Sequence, residues 1–229
     1  MFAGEDDGIA DAWDLLSERL NESRRNRMMQ IAQERTAYLR LCLQDVHDPH
    51  NVGACFRSAE ASGVQYCDFV NLYQKFAKTS STVAKGANHW LDISRFKDHK
   101  AYLEGLKNRG YKIAAAYPTD CAYELDTLPI DKPLVVALGN ENAGLHDDWA
   151  EHVDYRFSIP MYGMTESFNV SVSAALILYS LTQRCRRLVP PEQFFLSEKD
   201  RQALLNRWMT RHSRALASEL ENLRRLKMP

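Results

Sequence analysis

The sequence has no long apolar run and few cysteines, and both shortages exclude classes of protein. Nowhere in its 229 residues do about 18 apolar residues follow one another, so no membrane span is predicted. Residues 1–7 are acidic and lack the basic start and apolar core of a signal peptide. The five cysteines are scattered, odd in number and without a C-x-x-C pair, which argues against a disulfide framework and a zinc site. These features predict a metal-free protein of the reducing cytoplasm.

Glycine-rich nucleotide motifs are also missing. The segment Gly139-Asn-Glu-Asn-Ala-Gly144 has glycine at both ends of a tight turn, so its backbone can approach a ligand. It matches neither G-x-G-x-x-G nor G-x-x-x-x-G-K-[ST]. The sequence therefore argues against a nicotinamide oxidoreductase and a P-loop enzyme.

Charge is nearly balanced overall but unevenly distributed. The formal net charge is −1, yet residues 19–40 carry +4 and residues 184–229 carry +6. The first eighteen residues hold six acids and no base. Two basic segments flanking a near-neutral body are typical of a protein that binds a polyanion. The alternative is a pair of solvated helices whose charges serve only solubility.

Strand and helix patterns alternate along the chain, which predicts an α/β fold with a parallel sheet flanked by helices. Strands are predicted at 38–43, 67–72, 91–94, 111–116, 134–138 and 155–159, and helices at 9–20, 22–36, 51–62 and 99–108. In such a sheet, ligands bind beyond the carboxyl ends of the strands. The loops predicted there are 47–57, 116–119, 139–144 and 160–169.

Residues 159–176 combine a strand end, a tight loop and the start of a helix. Pro160 ends regular strand pairing and Gly163 permits a turn. Ser167 and Asn169 are predicted caps of the helix that follows, which is apolar or small on most faces and is predicted to be buried. The stretch would form a pocket floor with free backbone N–H groups; an ordinary buried helix with a polar entry is the alternative.

Three segments resemble the three ordered motifs of the SpoU/TrmH family of the SPOUT superfamily. They are His50-Asn-Val-Gly-Ala-Cys-Phe-Arg-Ser-Ala59, Leu138-Gly-Asn-Glu-Asn-Ala-Gly-Leu145, and the stretch from Ile159 through Asn169 to Ala175. The resemblance implies 2′-O-methylation of an RNA ribose, with S-adenosylmethionine as the cofactor. It also implies a deep trefoil knot near the C-terminus and a homodimer with the cofactor site at its interface.

The basic terminal helices resemble the branch of that family that methylates guanosine 18 in the D-loop of tRNA. The implied organisation is an N-terminal helical arm (1–36), a SPOUT methyltransferase domain (37–187) and a basic helical C-terminal extension (188–229). That extension is longer than the family's minimal pattern, which leaves the RNA target open. Ribosomal RNA, another tRNA position and a silent RNA-binding paralogue are the alternatives.

The resemblance also assigns residues to roles. The positions that match the family's reaction centre are Arg57, Asn51, Glu141, Ser167 and Asn169. The positions that match its cofactor-binding wall, mostly through backbone atoms, are Ala116, Gly139, Ile159, Met161 and Phe168. Phe168 stands where leucine is more usual, which is a conservative change in an apolar wall.

Arg57 matches the arginine that the family account holds responsible for removing the ribose proton. An arginine is effectively always protonated. Arg57 is therefore either unusually deprotonated, or it holds the adjacent phosphate while the proton leaves by another route; we favour the second. Cys55, inside the first motif, is predicted to be a small buried residue.

Six further side chains are predicted RNA contacts. The arginines are chosen because the guanidinium fork suits phosphate, and His50 because it lies in the first motif, although it could equally be a turn residue. The set is Arg24, Arg25, His50, Arg184, Arg186 and Arg187.

Overall fold

The computed structural model describes residues 11–71, 86–119, 121–141 and 143–212. Parts of the predicted first helix and of the C-terminal extension, residues 9–10 and 213–229, lie outside the described residues. The chain divides into two compact units. The larger contains residues 36–194, and the smaller contains, among the described residues, 11–35 and 195–212.

Parallel strands form one seven-stranded sheet in the larger unit. They are β1 (Thr36–Gln44), β2 (Val64–Val70), β3 (Asp92–Phe96), β4 (Lys112–Ala116), β5 (Tyr123–Glu124), β6 (Leu134–Leu138) and β7 (Tyr155–Ser158). Their order across the sheet is β3-β2-β1-β6-β4-β7-β5, and every pairing is parallel. The predicted parallel α/β fold is confirmed, although the two-residue β5 was not predicted. The trefoil knot stays a prediction.

Helices occur in both units. The larger unit has α3 (Pro49–Ala61), α4 (His99–Asn108), α5 (Val170–Leu188) and α6 (Pro191–Phe194), and the smaller has α1 (Ala12–Leu16), α2 (Glu22–Gln33) and α7 (Glu198–His212). Helix α3 begins two residues earlier than predicted because Asp48 accepts a hydrogen bond from the His50 N–H at 2.8 Å, with Pro49 in the first turn. No helix in the described ranges is long and apolar enough to cross a membrane.

The core of the larger unit lies around the centre of the sheet. All five residues of β6 are buried, as expected for a strand covered on both faces. Tyr102, Leu103 and Leu106 of α4 pack with Trp149 against residues of β1, β4 and β6. This packing fixes the strands whose carboxyl ends carry the candidate site.

Helix α5 is buried on one side only, which corrects the prediction that it is buried all round. Its inner residues Ile177 and Leu181 are fully buried, whereas Leu176 is 41% and Tyr179 is 67% exposed. Apolar residues on most faces of a helix do not indicate which face its own chain covers.

Two arginines of the basic segment 19–40 are not surface charges. Arg40 donates from Nε and Nη2 to the two carboxylate oxygens of Asp68, each at 2.9 Å. Burial by itself would lower the Arg40 pKa, but the Asp68 carboxylate raises it above its ordinary value. Arg35 is 1% exposed, with its guanidinium 5.4 Å from the ring centre of Trp208. Arg35 and Arg40 therefore do not contribute to the basic surface that the charge of residues 19–40 indicates.

Candidate active site

The strand order places the four predicted loops side by side. Strands β1, β6, β4 and β7 are consecutive neighbours in the sheet, and a predicted loop begins at or just beyond the carboxyl end of each. The prediction that these loops share one edge of the sheet is confirmed. The edge therefore brings together residues from four distant parts of the sequence.

Three predicted reaction-centre side chains are joined there by hydrogen bonds. Asn169 Nδ2 donates to Asn51 Oδ1 at 3.1 Å, and Asn51 Nδ2 donates to Glu141 Oε1 at 2.7 Å. Asn169 Oδ1 accepts from the Ser171 backbone N–H at 2.9 Å and from the Ser171 hydroxyl at 2.6 Å. These four residues form one hydrogen-bond chain that ends on a carboxylate. Ser171 was missed in the sequence, although a serine two residues after a capping asparagine is a usable signal.

Ser171 sets the orientation of both amides in this hydrogen-bond chain. A backbone N–H can only donate, so the atom of Asn169 that faces it must be the carbonyl oxygen. The NH₂ group of Asn169 then donates to Asn51, which must accept this hydrogen bond with its own carbonyl oxygen. The NH₂ group of Asn51 is thereby directed to Glu141, so the first turn of α5 determines which group faces the carboxylate.

Two helices begin at the hydrogen-bond chain. Asn51 is the third residue of α3, and Asn169 is the residue that caps α5. The predicted cap at Asn169 is thus confirmed, and Ser167 does not fill that position. The unpaired N–H groups of a first helical turn carry partial positive charge and attract anions. Two such helix N-termini therefore lie beside the Glu141 carboxylate.

Arg57 and Ser167 are presented to solvent. Arg57 lies on α3 beyond Asn51, and Ser167 lies in the loop before α5; both side chains are exposed. Within the part of the chain that the structure describes, neither makes a hydrogen bond or an ion pair. Both are therefore available to a substrate. His50 is also exposed, in the first turn of α3.

The five predicted cofactor residues lie at the carboxyl ends of three adjacent strands. Ala116 ends β4, Gly139 follows β6, Ile159 follows β7, and Met161 and Phe168 lie in the loop after β7. Counting only described partners, residues 160–168 make no hydrogen bond, so the backbone groups of this loop remain open. An apolar wall with open backbone donors and acceptors fits a cofactor that has both a flat ring system and polar groups, such as S-adenosylmethionine.

Gly139 also has a structural role that the sequence did not reveal. A Cβ atom at this position would lie 2.2 Å from the carbonyl carbon of Gly144, far inside van der Waals contact. The backbone folds back tightly here because Asn140 and Gly144 exchange two backbone hydrogen bonds of 2.9 Å each. Glycine is therefore required at position 139 whether or not a cofactor is bound.

Cys55 lies near Glu141 but is not a nucleophile. It is fully buried, as predicted. Burial, with a smaller contribution from the Glu141 charge, raises the pKa of its thiol to about 12, so the thiol stays protonated near neutral pH. Among the described residues no cluster of three or more His, Cys, Asp or Glu side chains could hold a metal ion.

The predicted RNA-binding arginines have different environments. Arg24 and Arg25 lie on α2, where Arg24 is exposed, and Arg187 is exposed in the last turn of α5. Arg186 is half-buried, with its guanidinium 5.6 Å from the ring centre of Phe194.

Arg184 has a structural task instead. Its two terminal nitrogens donate to the backbone carbonyls of Leu125 and Leu128, each at 2.8 Å. The guanidinium fork is therefore occupied by the loop after β5, which corrects the prediction that Arg184 contacts phosphate.

Known proteins resemble this chain in both sequence and fold. The profile of the SpoU rRNA Methylase family matches residues 38–179. A tRNA (guanosine(18)-2′-O)-methyltransferase of Escherichia coli K12 is 32% identical over 189 residues, which are 81% of this chain and 82% of that protein. The crystal structure of the TrmH/SpoU tRNA modifying enzyme of Aquifex aeolicus has a TM-score of 0.76 at 29% identity, over 84% of this chain and 98% of that chain. The SpoU methyltransferase AviRb of Streptomyces viridochromogenes, solved in complex with AdoMet, shares the fold with a TM-score of 0.59 at 22% identity, over 67% of this chain and 62% of that chain.

Proposed function

The chain belongs to the SpoU rRNA methylase family, and from this premise we propose that it methylates the ribose 2′-oxygen of guanosine 18 in tRNA, with S-adenosylmethionine as methyl donor. Membership confirms the family that the three motifs predicted. The main structural support is the hydrogen-bond chain from Ser171 to Glu141 at the edge where the four loops meet. The choice of tRNA and of guanosine 18 is supported by the activity in the name of the E. coli relative.

When bound, S-adenosylmethionine supplies an electrophilic methyl group. The residues that would hold it are Ala116, Gly139, Ile159, Met161 and Phe168, at the carboxyl ends of β4, β6 and β7. The apolar side chains of Ala116, Ile159, Met161 and Phe168 would keep water from the methyl group, and the open backbone groups of residues 160–168 would orient the polar parts of the cofactor.

Arg57 binds the phosphate next to the target ribose. The fork of N–H groups on its guanidinium matches two phosphate oxygens. The N-termini of α3 and α5 add partial positive charge beside Asn51 and Asn169. Because transfer requires the attacking oxygen close to the methyl carbon and in line with it, this positioning is the chain's main contribution to rate.

Glu141 orients the attacking hydroxyl. Asn51 occupies one carboxylate oxygen, which leaves the other for a hydrogen bond from the ribose 2′-hydroxyl. A hydroxyl that must lose its proton near the transition state needs an acceptor within hydrogen-bonding distance. Ser167, exposed in the loop before α5, contacts the same ribose in this arrangement.

A second copy of this chain is the proposed partner of the outer face of α5. Apolar side chains on this face and in the loop before it are exposed: Met164, Phe168, Val172, Leu176 and Tyr179. Their spacing along α5 follows the three-to-four-residue repeat of one helix face. Since Phe168 and Met161 belong to the loop that forms the cofactor wall, a second copy seated here would complete the cofactor site.

Arginines of α2 and α5 are the proposed contacts with the tRNA backbone. Arg24 and Arg187 are exposed, Arg25 and Arg186 are half-buried, and Arg27 is added because it is exposed one turn after Arg24 on α2. Contacts of this kind position the RNA and carry no sequence information, so the choice of nucleotide must come from the reaction centre. Acting on tRNA, and having five free thiols, the protein would work in the cytoplasm.

Mapping of 2′-O-methyl groups in RNA from cells that lack this protein tests the function directly. Loss of the methyl group at guanosine 18 of tRNA, restored by the wild-type gene but not by the Arg57→Ala gene, is the expected result. Loss at a ribosomal RNA position with an unchanged tRNA pattern would contradict the proposed substrate.

A further inference from the structure

Gln44 connects the end of β1 to the loop that carries Glu141. We call residues 139–141 and 143–146 the glycine loop. The Gln44 side chain is 3% exposed and uses both ends of its amide. Its Oε1 accepts a hydrogen bond from the His146 backbone N–H at 2.8 Å, and its Nε2 donates to Asp45 Oδ2 at 2.5 Å. Gln44 thus fixes the carboxyl-terminal end of the glycine loop.

Asp45 fixes the other end of the glycine loop through its backbone. The side chain of Asn140 donates from Nδ2 to the Asp45 carbonyl oxygen at 2.9 Å. Asp45 has φ of 49°, in the left-handed region that residues other than glycine rarely adopt. Its own N–H donates to Val70 at the end of β2 at 3.0 Å, so the corner is tied to the sheet. Strained backbone of this kind persists where surrounding bonds hold it and is concentrated at functional sites.

The glycine loop is closed by hydrogen bonds between its own described residues. Asn140 Oδ1 accepts from the Ala143 N–H at 3.0 Å, in addition to the paired backbone bonds between Asn140 and Gly144. Gly139 packs against Gly144 more closely than any side chain would allow. The position of Glu141 relative to Asn51 consequently depends on how the two ends of the loop are attached to β1.

We propose that Gln44 and Asn140 are positioning residues that hold Glu141 where methyl transfer needs it. They act through the glycine loop and touch neither substrate nor cofactor. The inference rests on the role of Glu141 proposed above. An error of about 1 Å in the placement of a reacting group can cost about 100-fold in rate, so loosening either attachment lowers kcat while RNA affinity, set by exposed arginines elsewhere, is kept.

The test compares two glutamine-to-methionine variants. Gln44→Met keeps the size of the side chain and removes both hydrogen bonds; we expect kcat to fall about 10- to 100-fold with the KM for tRNA within about threefold of wild type. Gln65→Met is the matched control. Gln65 is also buried, and its Nε2 donates to Trp90 O (3.0 Å) and to Asp92 Oδ2 (3.2 Å), but it lies near the amino end of β2, away from the site.

Both variants should lose thermal stability, and Gln44→Met alone should lose kcat. Equal kcat values in the two variants at equal melting temperatures would overturn the inference. If Gln44→Met does not fold, Asn140→Asp serves instead, because it keeps the acceptor for the Ala143 N–H and loses the donor to Asp45. A folded Asn140→Asp protein with wild-type kcat would likewise contradict it.

Glu141→Gln separates this inference from the proposed function. Full turnover by Glu141→Gln would contradict the role of Glu141 itself. Low turnover by Glu141→Gln, together with wild-type turnover by Gln44→Met and Asn140→Asp, would overturn only the positioning role of Gln44 and Asn140. In the double variant we expect Gln44→Met to lower the residual kcat of Glu141→Gln by less than about threefold, because both changes remove the same function, the action of Glu141. Additive losses would mean that Gln44 does not act through Glu141.

Discussion

Replacing Asn51 by alanine interrupts the hydrogen-bond chain at its centre. The change removes the 2.7 Å bond to Glu141 and the 3.1 Å bond from Asn169. A hydrogen bond to a charged group contributes about 1.5–3 kcal/mol, which corresponds to about 10- to 150-fold in rate. Because Glu141 and Asn169 are exposed, we expect the lower part of that range, a loss of about 10- to 30-fold in kcat.

Asn51→Asp tests the direction of the amide. The aspartate keeps an acceptor for Asn169 but loses the donor to Glu141 and places a second carboxylate beside it. Two unit charges about 3 Å apart repel by about 1.4 kcal/mol in water, so this variant should be about tenfold slower than Asn51→Ala at neutral pH.

Single-turnover methyl transfer to tRNA measures the rates, and calorimetric titration checks that cofactor binding survives. Asn108→Ala, a change at an exposed asparagine that ends α4, is the control and should keep wild-type turnover. Wild-type turnover by Asn51→Ala would refute the role of the hydrogen-bond chain, as would an Asn51→Asp variant that is faster than Asn51→Ala.

Four other changes test separate parts of the account. Arg57→Ala and Arg57→Lys should both abolish methyl transfer while cofactor binding by calorimetry stays within about threefold, because lysine lacks the fork. Tyr179→Glu should convert a dimer into a monomer in sedimentation equilibrium and lower cofactor affinity at least tenfold. Replacing Arg186 and Arg187 together by alanine should flatten the dependence of log K on log salt for tRNA by about one to two units. Cys55→Ala should make the loss of unfolding free energy at alkaline pH shallower. Folding raises the pKa of this thiol from 9.0 to about 12, so its contribution is complete below about pH 9 and is lost as pH rises towards 12.

Each of these expectations has a contradicting result. Near wild-type turnover by Arg57→Lys at saturating tRNA would show that the guanidinium of Arg57 is not needed for methyl transfer. A dimeric Tyr179→Glu protein would show that the outer face of α5 is not the interface, and an unchanged salt slope would leave Arg186 and Arg187 as solvated charges. Parallel stability curves for Cys55→Ala and wild type between pH 8 and 11 would show that the thiol is not held protonated by the fold.

The sequence predicted the edge of the sheet on which the site lies. Alternating strand and helix patterns gave the parallel sheet, and the loops after β1, β4, β6 and β7 meet at that edge. The cap at Asn169 was also predictable, because a capping asparagine is recognised from local sequence. Features that depend on neighbouring residues, or on strand ends, could therefore be predicted from the sequence.

Features that depend on residues distant in the sequence could not be predicted. The sequence predicts a phosphate contact at Arg184, but the structure shows its guanidinium bonded to the carbonyls of Leu125 and Leu128. The sequence likewise indicates a surface charge at Arg40, but the structure pairs it with Asp68. The exposed outer face of α5 could not be predicted because apolar periodicity does not distinguish cover by the same chain from cover by another. The Gln44 attachment depends on a left-handed backbone at Asp45, which no local signal indicated.

Methyl transfer to a tRNA transcript by the purified protein tests the central claim most directly. With labelled S-adenosylmethionine, the account predicts about one methyl group per transcript, located at guanosine 18, and none on a transcript that carries 2′-deoxyguanosine there. Label on the deoxy transcript, or label at another nucleotide of the unmodified one, would contradict ribose methylation of guanosine 18.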